Sequence, residues 1–302
     1  FSLSQFYPIS FMNETQQTKD IKFFDLLICP ECLQENLIRG ANKIKCNICN
    51  RVAIIKPDSK TIIFSQVYQP KEKSVYKFTP KNNKRPKNWR ELNFEEIKKW
   101  LETFEKNKLV LDLGCGRLTN SYLLDKYNCI YIDGADFDNV NIVCDFERRL
   151  PLKDQSVDRI LLSNVLEHIY DPKILFSEIY RVLKDDGECM ALIPFAIQHH
   201  QEPIDFNRYT RYYLERISRE AGFYNIYIKD LGSLSNIMES LLRLDANNIN
   251  NQFSYSFSIA KNLRNLIKKI NFLFYRVFRY FSLDEDPNSL LPQGFMLRIR
   301  KN

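Results

Sequence analysis

From residue 109 onward, short apolar runs alternate with stretches whose apolar residues recur every three or four positions. The runs predict strands at LVLDL (109–113), CIYID (129–133), NIVCD (141–145), VDRILLS (157–163), ECMALIP (188–194) and FYNIYIKD (223–230). The stretches between them predict helices near 118–127, 172–184 and 210–221. The second of these has Asp171 at its N-cap, Pro172 at the first helical position and Gly187 beyond its end. Another helix begins where Asn93 caps and Glu96 follows three residues on, with Phe94, Ile97, Leu101 and Phe104 along one face. FMLRIR (295–300) reads as a last strand, and its natural partner is 223–230, some 60 residues back. Strands and helices in strict alternation pack as a parallel sheet with helices on both faces, and ligands bind at the carboxyl ends of the strands. The expected fold over 93–302 is therefore α/β, a doubly wound Rossmann-like sheet with a helical insertion at 232–290.

Within that insertion, 233–244 has a helical pattern, and 259–281 carries an apolar stripe from Ile259 to Phe281. The other face of the longer segment is basic, with Lys261, Arg264, Lys268, Lys269, Arg276 and Arg279 and no acid. Two readings stay open: a cap packed on the core, or a helix lying on an anionic membrane surface. Upstream, residues 1–69 hold an N-terminal segment and a small ribbon (26–66). A linker at 70–92 has eight Lys or Arg and one acid between Lys71 and Arg90. It reads either as a solvated connector or as a strip that tracks phosphate.

Composition narrows the class. With 302 residues, 44% hydrophobic and 27% charged, the chain is expected to fold around a sizeable core. No apolar run approaches the roughly 20 residues of a membrane span, and no secretory signal is legible. The chain starts at Phe1, so a few native residues are expected to precede it. The net charge of +7 permits nucleic-acid binding without indicating it. Cys29 and Cys32 form one CxxC pair, Cys46 and Cys49 a second, thirteen residues later. Two such knuckles supply the four thiolates of a closed tetrahedral zinc site, which makes the metal structural. Reduced thiolates place the protein in a reducing compartment, hence a cytoplasmic expectation.

The chemistry centres on LVLDLGCG (109–116). A strand ends at Asp112, and Gly114 and Gly116 turn the chain toward a helix with backbone open to a ligand. Leu118 or Thr119 stands where a third glycine would complete a dinucleotide fingerprint, and no P-loop ending follows. Asp133 ends the second strand, where an acid can accept both hydroxyls of a ribose. Asp145 ends the third and is followed by Phe146, an acid and an aromatic suited to an adenine amine and ring.

In LVLDLGCG, YIDG (131–134), VCDFERRLPLKDQSVDRILLSNVLEHIYDP (143–172) and IYRVLKDDG (179–187), the chain resembles class I S-adenosylmethionine (SAM)-dependent methyltransferases, in particular their small-molecule branch. The resemblance covers roughly 105–230 and 295–300. It implies a seven-stranded sheet with an antiparallel last strand. Asp112, Gly114 and Gly116 would hold the methionine portion of SAM, Asp133 the ribose, and Asp145 with Phe146 the adenine. Ser163 and Asn164 would close the pocket at the end of the fourth strand.

For the methyl acceptor, Ser163-Asn164-Val165-Leu166 is not the Asn/Asp-Pro-Pro-Tyr of enzymes acting on exocyclic amines. No Pro-Cys nucleophile for cytosine C5 follows a strand. IPFAIQHHQEPIDFNRYT (193–210) resembles a stretch of methyltransferases associated with surface-polysaccharide and cell-envelope biosynthesis. On that pattern His200, Asp205 and Arg208 line the acceptor side, His200 as a general base and Arg208 as a partner for phosphate or carboxylate. Alternatively Asp205, Arg208 and Tyr209 brace the loop. His168 either faces the cofactor or caps its helix. The ribbon resembles in part those that partner methyltransferases acting on RNA and translation factors, with VAIIKPDSK in place of the usual strand end. A saccharide, lipid-linked or other small acceptor is the leading expectation, and RNA gripped by ribbon and linker is the alternative.

Overall fold

The computed structural model describes residues 23–68, 88–233 and 291–302, with single positions 236, 237, 266, 269, 270 and 273. Most of the basic linker (70–92) and of the insertion (232–290), with the helices expected at 233–244 and 259–281, lies outside the described residues. Within the insertion, Leu266, Ile270 and Leu273 are helical and exposed. Among the described residues no helix is long and apolar enough to cross a membrane.

Four short strands come first: β1 (Leu37–Arg39), β2 (Lys43–Cys46), β3 (Val52–Ile55) and β4 (Ile62–Ile63), each antiparallel to the next. Strands β2 and β3 alternate exposed and buried positions, so Ile44, Ala53 and Ile55 face the core while Ile54 faces out. Helix α1 (Trp89–Glu102) follows, then β5 (Leu109–Leu113), the one-turn α2 (Ser121–Leu124), β6 (Asn128–Asp133) and β7 (Ile142–Val143). Next come β8 (Val157–Ser163), α3 (Lys173–Val182), β9 (Leu183–Pro194), α4 (Arg211–Glu220), β10 (Asn225–Leu231) and β11 (Gly294–Arg300).

Strands β5 to β9 run parallel in the order β7-β6-β5-β8-β9, and β11 enters antiparallel between β9 and β10. That is the expected seven-stranded arrangement. β5 is buried along its whole length, as a strand covered on both faces must be. Val110 joins Leu161, Met190 and Met296 under α1, whose Ile97, Trp100 and Leu101 cover that face. Leu111 and Leu113 join Ile160 and Leu162 under α3 and α4 on the other. The sheet also continues past β7, because Ile62 and Ile63 of β4 pair in parallel with Ile142 and Val143. Among the described residues the ribbon thus extends one sheet to eleven strands.

Three boundaries differ from the sequence pattern. Helix α1 is capped by Asn88, whose side chain accepts from the Glu91 amide, and Asn93 is buried inside the helix. The start moves back because Trp89 is buried and its indole donates to Asn164, a contact distant in sequence. The 118–127 helix shrinks to the single turn of α2. Helix α3 starts at Lys173, whose amide Asp171 does accept at 3.1 Å, and stops at Val182. Leu183 to Gly187 join β9 instead, held by Leu183 opposite Val157 and by the Lys301 amide on the Gly187 carbonyl.

Candidate functional site

The carboxyl end of β5 delivers Asp112, Gly114 and Gly116 to one corner of the sheet. Asp112 is fully buried, and neither of its carboxylate oxygens has a hydrogen-bond partner. Burial, with the charge of Asp133 beside it, pushes its pKa up to about 8. Asp133, at the end of β6, accepts the amides of Gly116 at 2.7 Å and Ala135 at 2.9 Å. Burial raises its pKa to about 6, and these amides with the Tyr68 hydroxyl pull against the rise. The turn itself is left-handed at Gly114 (φ +85°), Gly116 (φ +55°) and also Leu118 (φ +56°). Leu118 therefore adopts the conformation that a third glycine would supply, at a cost of about 1–2 kcal/mol.

The two glycines do different things. A Cβ on Gly114 would lie 2.3 Å from Cγ2 of Val165, whereas a Cβ on Gly116 would meet nothing within 4 Å. Gly114→Ala is expected to lower stability by about 2 kcal/mol through clash and backbone strain, read as a fall in the denaturation midpoint. Gly116→Ala carries the smaller cost of strain alone, about 1 kcal/mol. Its methyl group would occupy the open space over the turn, so its main effect should be on ligand affinity.

Asp145 and Phe146 part company. The Asp145 carboxylate accepts the Glu147 amide at 2.9 Å and pairs with Arg148 at 3.4 Å. Phe146 is packed in the main core, and its ring is not presented to a ligand as the sequence suggested. The tail of the ribbon supplies groups that sequence reasoning missed. Ser65 Oγ accepts the Asp145 amide, the Val67 amide reaches the Gly134 carbonyl, and Tyr68 reaches Asp133. This wall depends on the pairing of β4 with β7, and no local signal announces it. Beyond β8, Asn164 is left-handed (φ +57°), bonds Trp89 and lies 3.3 Å from the Ser163 hydroxyl. Asn164 thus ties the end of the fourth strand to α1.

The loop after β9 is braced from within. Arg208 grips Asp205 through both nitrogens, at 2.6 and 2.9 Å, and donates to the Asn207 carbonyl at 2.8 Å. This pairing holds the Asp205 carboxyl well below its usual range. Asp205 in turn accepts the His200 amide at 2.9 Å, and the buried Tyr209 hydroxyl donates to carbonyls of Leu166 or Ile169. Arg208 is thus committed to Asp205 rather than held out for an anionic acceptor. His199 is exposed. His200 has its Nδ1 on the Gln198 carbonyl at 3.2 Å and its Nε2 3.4 Å from Glu167 Oε1. Its Nδ1 is taken by a backbone carbonyl, and its Nε2 faces Glu167, which raises the pKa of the ring. His168 lies in a short turn, Leu166–His168, with Nδ1 on the Ile204 carbonyl and its ring edge-on to His200. It faces this cluster, not the cofactor corner. Glu167 escaped notice because an acid between Leu and His reads as surface.

In the ribbon, the four thiols gather as the spacing predicts. Cys29 and Cys49 Sγ lie 3.4 Å apart, Cys32 and Cys46 3.5 Å, and all four fall within 4.8 Å of one another. A tetrahedral ion with bonds of about 2.3 Å separates its sulfurs by about 3.8 Å, so the donor set fits. The two knuckles repeat one backbone device. Leu33 and Asn50, each four residues after its first cysteine, are left-handed and return their amides to the Cys29 and Cys46 carbonyls.

Residues 111–191 match a family model described as a methyltransferase domain. An uncharacterized protein of Methanocaldococcus jannaschii is 39% identical over 115 residues, 34% of this chain and 49% of its own length. Cycloartenol-C-24-methyltransferase 1 of Oryza sativa subsp. japonica is 29% identical over 112 residues, 31% of this chain and 32% of its own length. The chain therefore spans half or less of the curated relatives it matches. Among solved structures, a SAM-dependent methyltransferase from Archaeoglobus fulgidus aligns over 70% of this chain and 94% of its own, at 18% identity and a TM-score of 0.43. The segment that matches the methyltransferase-domain model, 111–191, contains Asp112, both turn glycines, Asp133, Asp145 and the Glu167–His168 pair.

Proposed function

We propose that this chain transfers the methyl group of SAM to a small-molecule acceptor, of the saccharide or lipid-linked class used in cell-envelope and polysaccharide biosynthesis. Asp112 carries the first half of this reading. A wholly buried carboxylate without a hydrogen-bond partner is costly unless it is protonated or met by a cation. SAM brings positive charge on its sulfonium and ammonium groups.

When bound, SAM supplies a methyl group that is already electrophilic. What remains for the chain is to bind and align. Gly114 and Gly116 give close backbone approach, and Asp112 offers its unpartnered oxygens to the cationic end. Asp133, positioned by the Gly116 and Ala135 amides, has lone pairs left for ribose hydroxyls. Holding an acceptor in line contributes up to about 7–11 kcal/mol. The acceptor side is read at the carboxyl ends of β8 and β9, where the Asp205–Arg208 pair stiffens the loop over the sheet. The similarity of 193–210 to envelope-associated methyltransferases supports a glycan or lipid-linked acceptor. The plant relative, named for cycloartenol, supports a small molecule. The ribbon thiols are read as a structural zinc site, since four protein ligands leave no position for substrate.

The pKa of Asp112 gives the reading a pH signature. Its folded value lies near 8, so SAM that selects the ionised carboxylate must expel a proton at lower pH. Affinity should rise with pH, by at most about tenfold per unit, and level off above about 8. Titration calorimetry at neutral pH, in buffers of different ionisation enthalpy, should detect the released proton. A flat profile would remove Asp112 from the binding site. For the acceptor, labelled SAM incubated with the protein and an extract of its source should leave label in the glycan or lipid fraction. Label destroyed by ribonuclease would overturn the saccharide reading.

A further inference from the structure

The cluster of Glu167, His168 and His200 has a feature the methyl-transfer reading does not use. Glu167 is fully buried, and neither of its carboxylate oxygens accepts a hydrogen bond. Nε2 of His168 is likewise buried without a partner. It points at Oε1 of Glu167 from 3.7 Å, and Nε2 of His200 does so from 3.4 Å. On each ring the opposite nitrogen sits on a backbone carbonyl, Ile204 at 2.7 Å for His168 and Gln198 at 3.2 Å for His200. A carbonyl only accepts, so both Nδ1 atoms carry the hydrogen, and the Nε2 atoms of the neutral rings present lone pairs. With both rings neutral, three lone-pair donors from two loops converge on one point. Such an arrangement repels itself unless a positive charge sits at the centre, either a proton on His200 shared with Glu167 or a metal cation in its place.

We infer that Glu167 Oε1, His168 Nε2 and His200 Nε2 bind a divalent transition-metal ion of the zinc, iron(II) or cobalt(II) class. Two imidazoles and one carboxylate suit such ions better than magnesium or calcium, which favour oxygen ligands. Bonds of about 2.0–2.2 Å in a tetrahedral site separate ligand atoms by about 3.4 Å; the two histidines stand 3.4 and 3.7 Å from Glu167 Oε1, and all three atoms fall within 4.8 Å of one another. The carbonyls on Nδ1 are the outer groups that fix tautomer and ring orientation in histidine metal sites. Asp205 does not compete for the ion, because both its oxygens are on Arg208. It bonds the His200 amide and so sets the position of one ligand. The His200 side chain is 30% exposed, which leaves an approach for an outside ligand. Metal binding here is independent of methyl transfer. The further service of the ion, lowering the pKa of an acceptor hydroxyl at its open position, rests on the function proposed above.

Cobalt(II) loading of the whole chain separates this site from the ribbon. Thiolate-to-metal charge-transfer absorption marks the four-cysteine site, and a nitrogen–oxygen site shows ligand-field bands without it. The wild type should bind two equivalents, one with and one without the thiolate signature. His168→Ala and Glu167→Gln should each lose the second equivalent and keep the first, with the thiolate spectrum reporting that the ribbon is intact. One equivalent in the wild type, all of it thiolate-bound, would overturn the proposal whether or not the variants fold. So would a second equivalent that survives both substitutions. Methyl transfer by a protein holding only the ribbon metal would sink the site and leave the proposed function standing. A second metal without methyl transfer would do the reverse.

Discussion

Asp112→Asn is expected to weaken SAM binding by about 100-fold while leaving the fold intact. The ratio corresponds to about 2.7 kcal/mol, the scale of a hydrogen bond to a charged group. Asparagine keeps the shape of the side chain and exchanges one carboxylate oxygen for a neutral NH2 group, so a loss of affinity reports charge and polarity rather than packing. Stability should move the other way with pH. The folded pKa of Asp112 lies above its unfolded value of 3.8, so the folded state holds the proton more tightly. Its contribution is therefore fully present below about pH 4, falls as pH rises toward about 8, and is flat above. The variant should lose this slope and melt no lower than the wild type near pH 8. Calorimetric titration with SAM and thermal melts across pH test the two halves. A variant that binds SAM as the wild type does would show that the buried carboxylate serves only the fold.

Cys46→Ser is expected to disturb two places at once. Losing one of four thiolates should release the ribbon ion, and closed sites of this kind contribute folding free energy outright. Amide exchange across β1 to β4 should then rise, while β8, deep in the sheet, keeps its protection. The second place is the cofactor corner. Ser65, Val67 and Tyr68 follow directly from β4 and lean on Asp145, Gly134 and Asp133. With β4 released from β7, SAM affinity should fall by at least about tenfold, roughly one such contact. Hydrogen exchange and calorimetry on the same sample would decide. A ribbon that melts without change in affinity would separate the two sites.

Much of this was legible because the parallel core writes itself as uninterrupted apolar runs. Strands β5 and β8 begin and end where the pattern says, since Gly114 stops the first and polar Asp154-Gln155-Ser156 and Asn164 flank the second. The cysteine knuckles are equally local, four residues each. What the sequence withheld depends on partners far along the chain. Asn93 has good capping chemistry, but Trp89 reaches Asn164 and draws the helix start back to Asn88. Phe146 looks like a stacking ring beside an acid, and core packing claims it. Arg208 looks like an anion clamp, and Asp205 three residues earlier satisfies it. Glu167 and His200 are 33 residues apart and meet only because β8 and β9 are neighbours.

The position of β11 has a consequence for how the chain comes to exist. Of the described strands it is the last made, yet it lies between β9 and β10, bonded to both along all seven of its residues. Gly294 at its start lies so close beneath Trp89 that a Cβ there would come within 2.3 Å of the indole. During synthesis the ribbon and strands β5 to β8 can assemble as they emerge, but β9 and β10 each wait with an open edge. Open edges are where strands of other chains add. The ribosome must therefore deliver residues 294–300 before that half of the sheet can close.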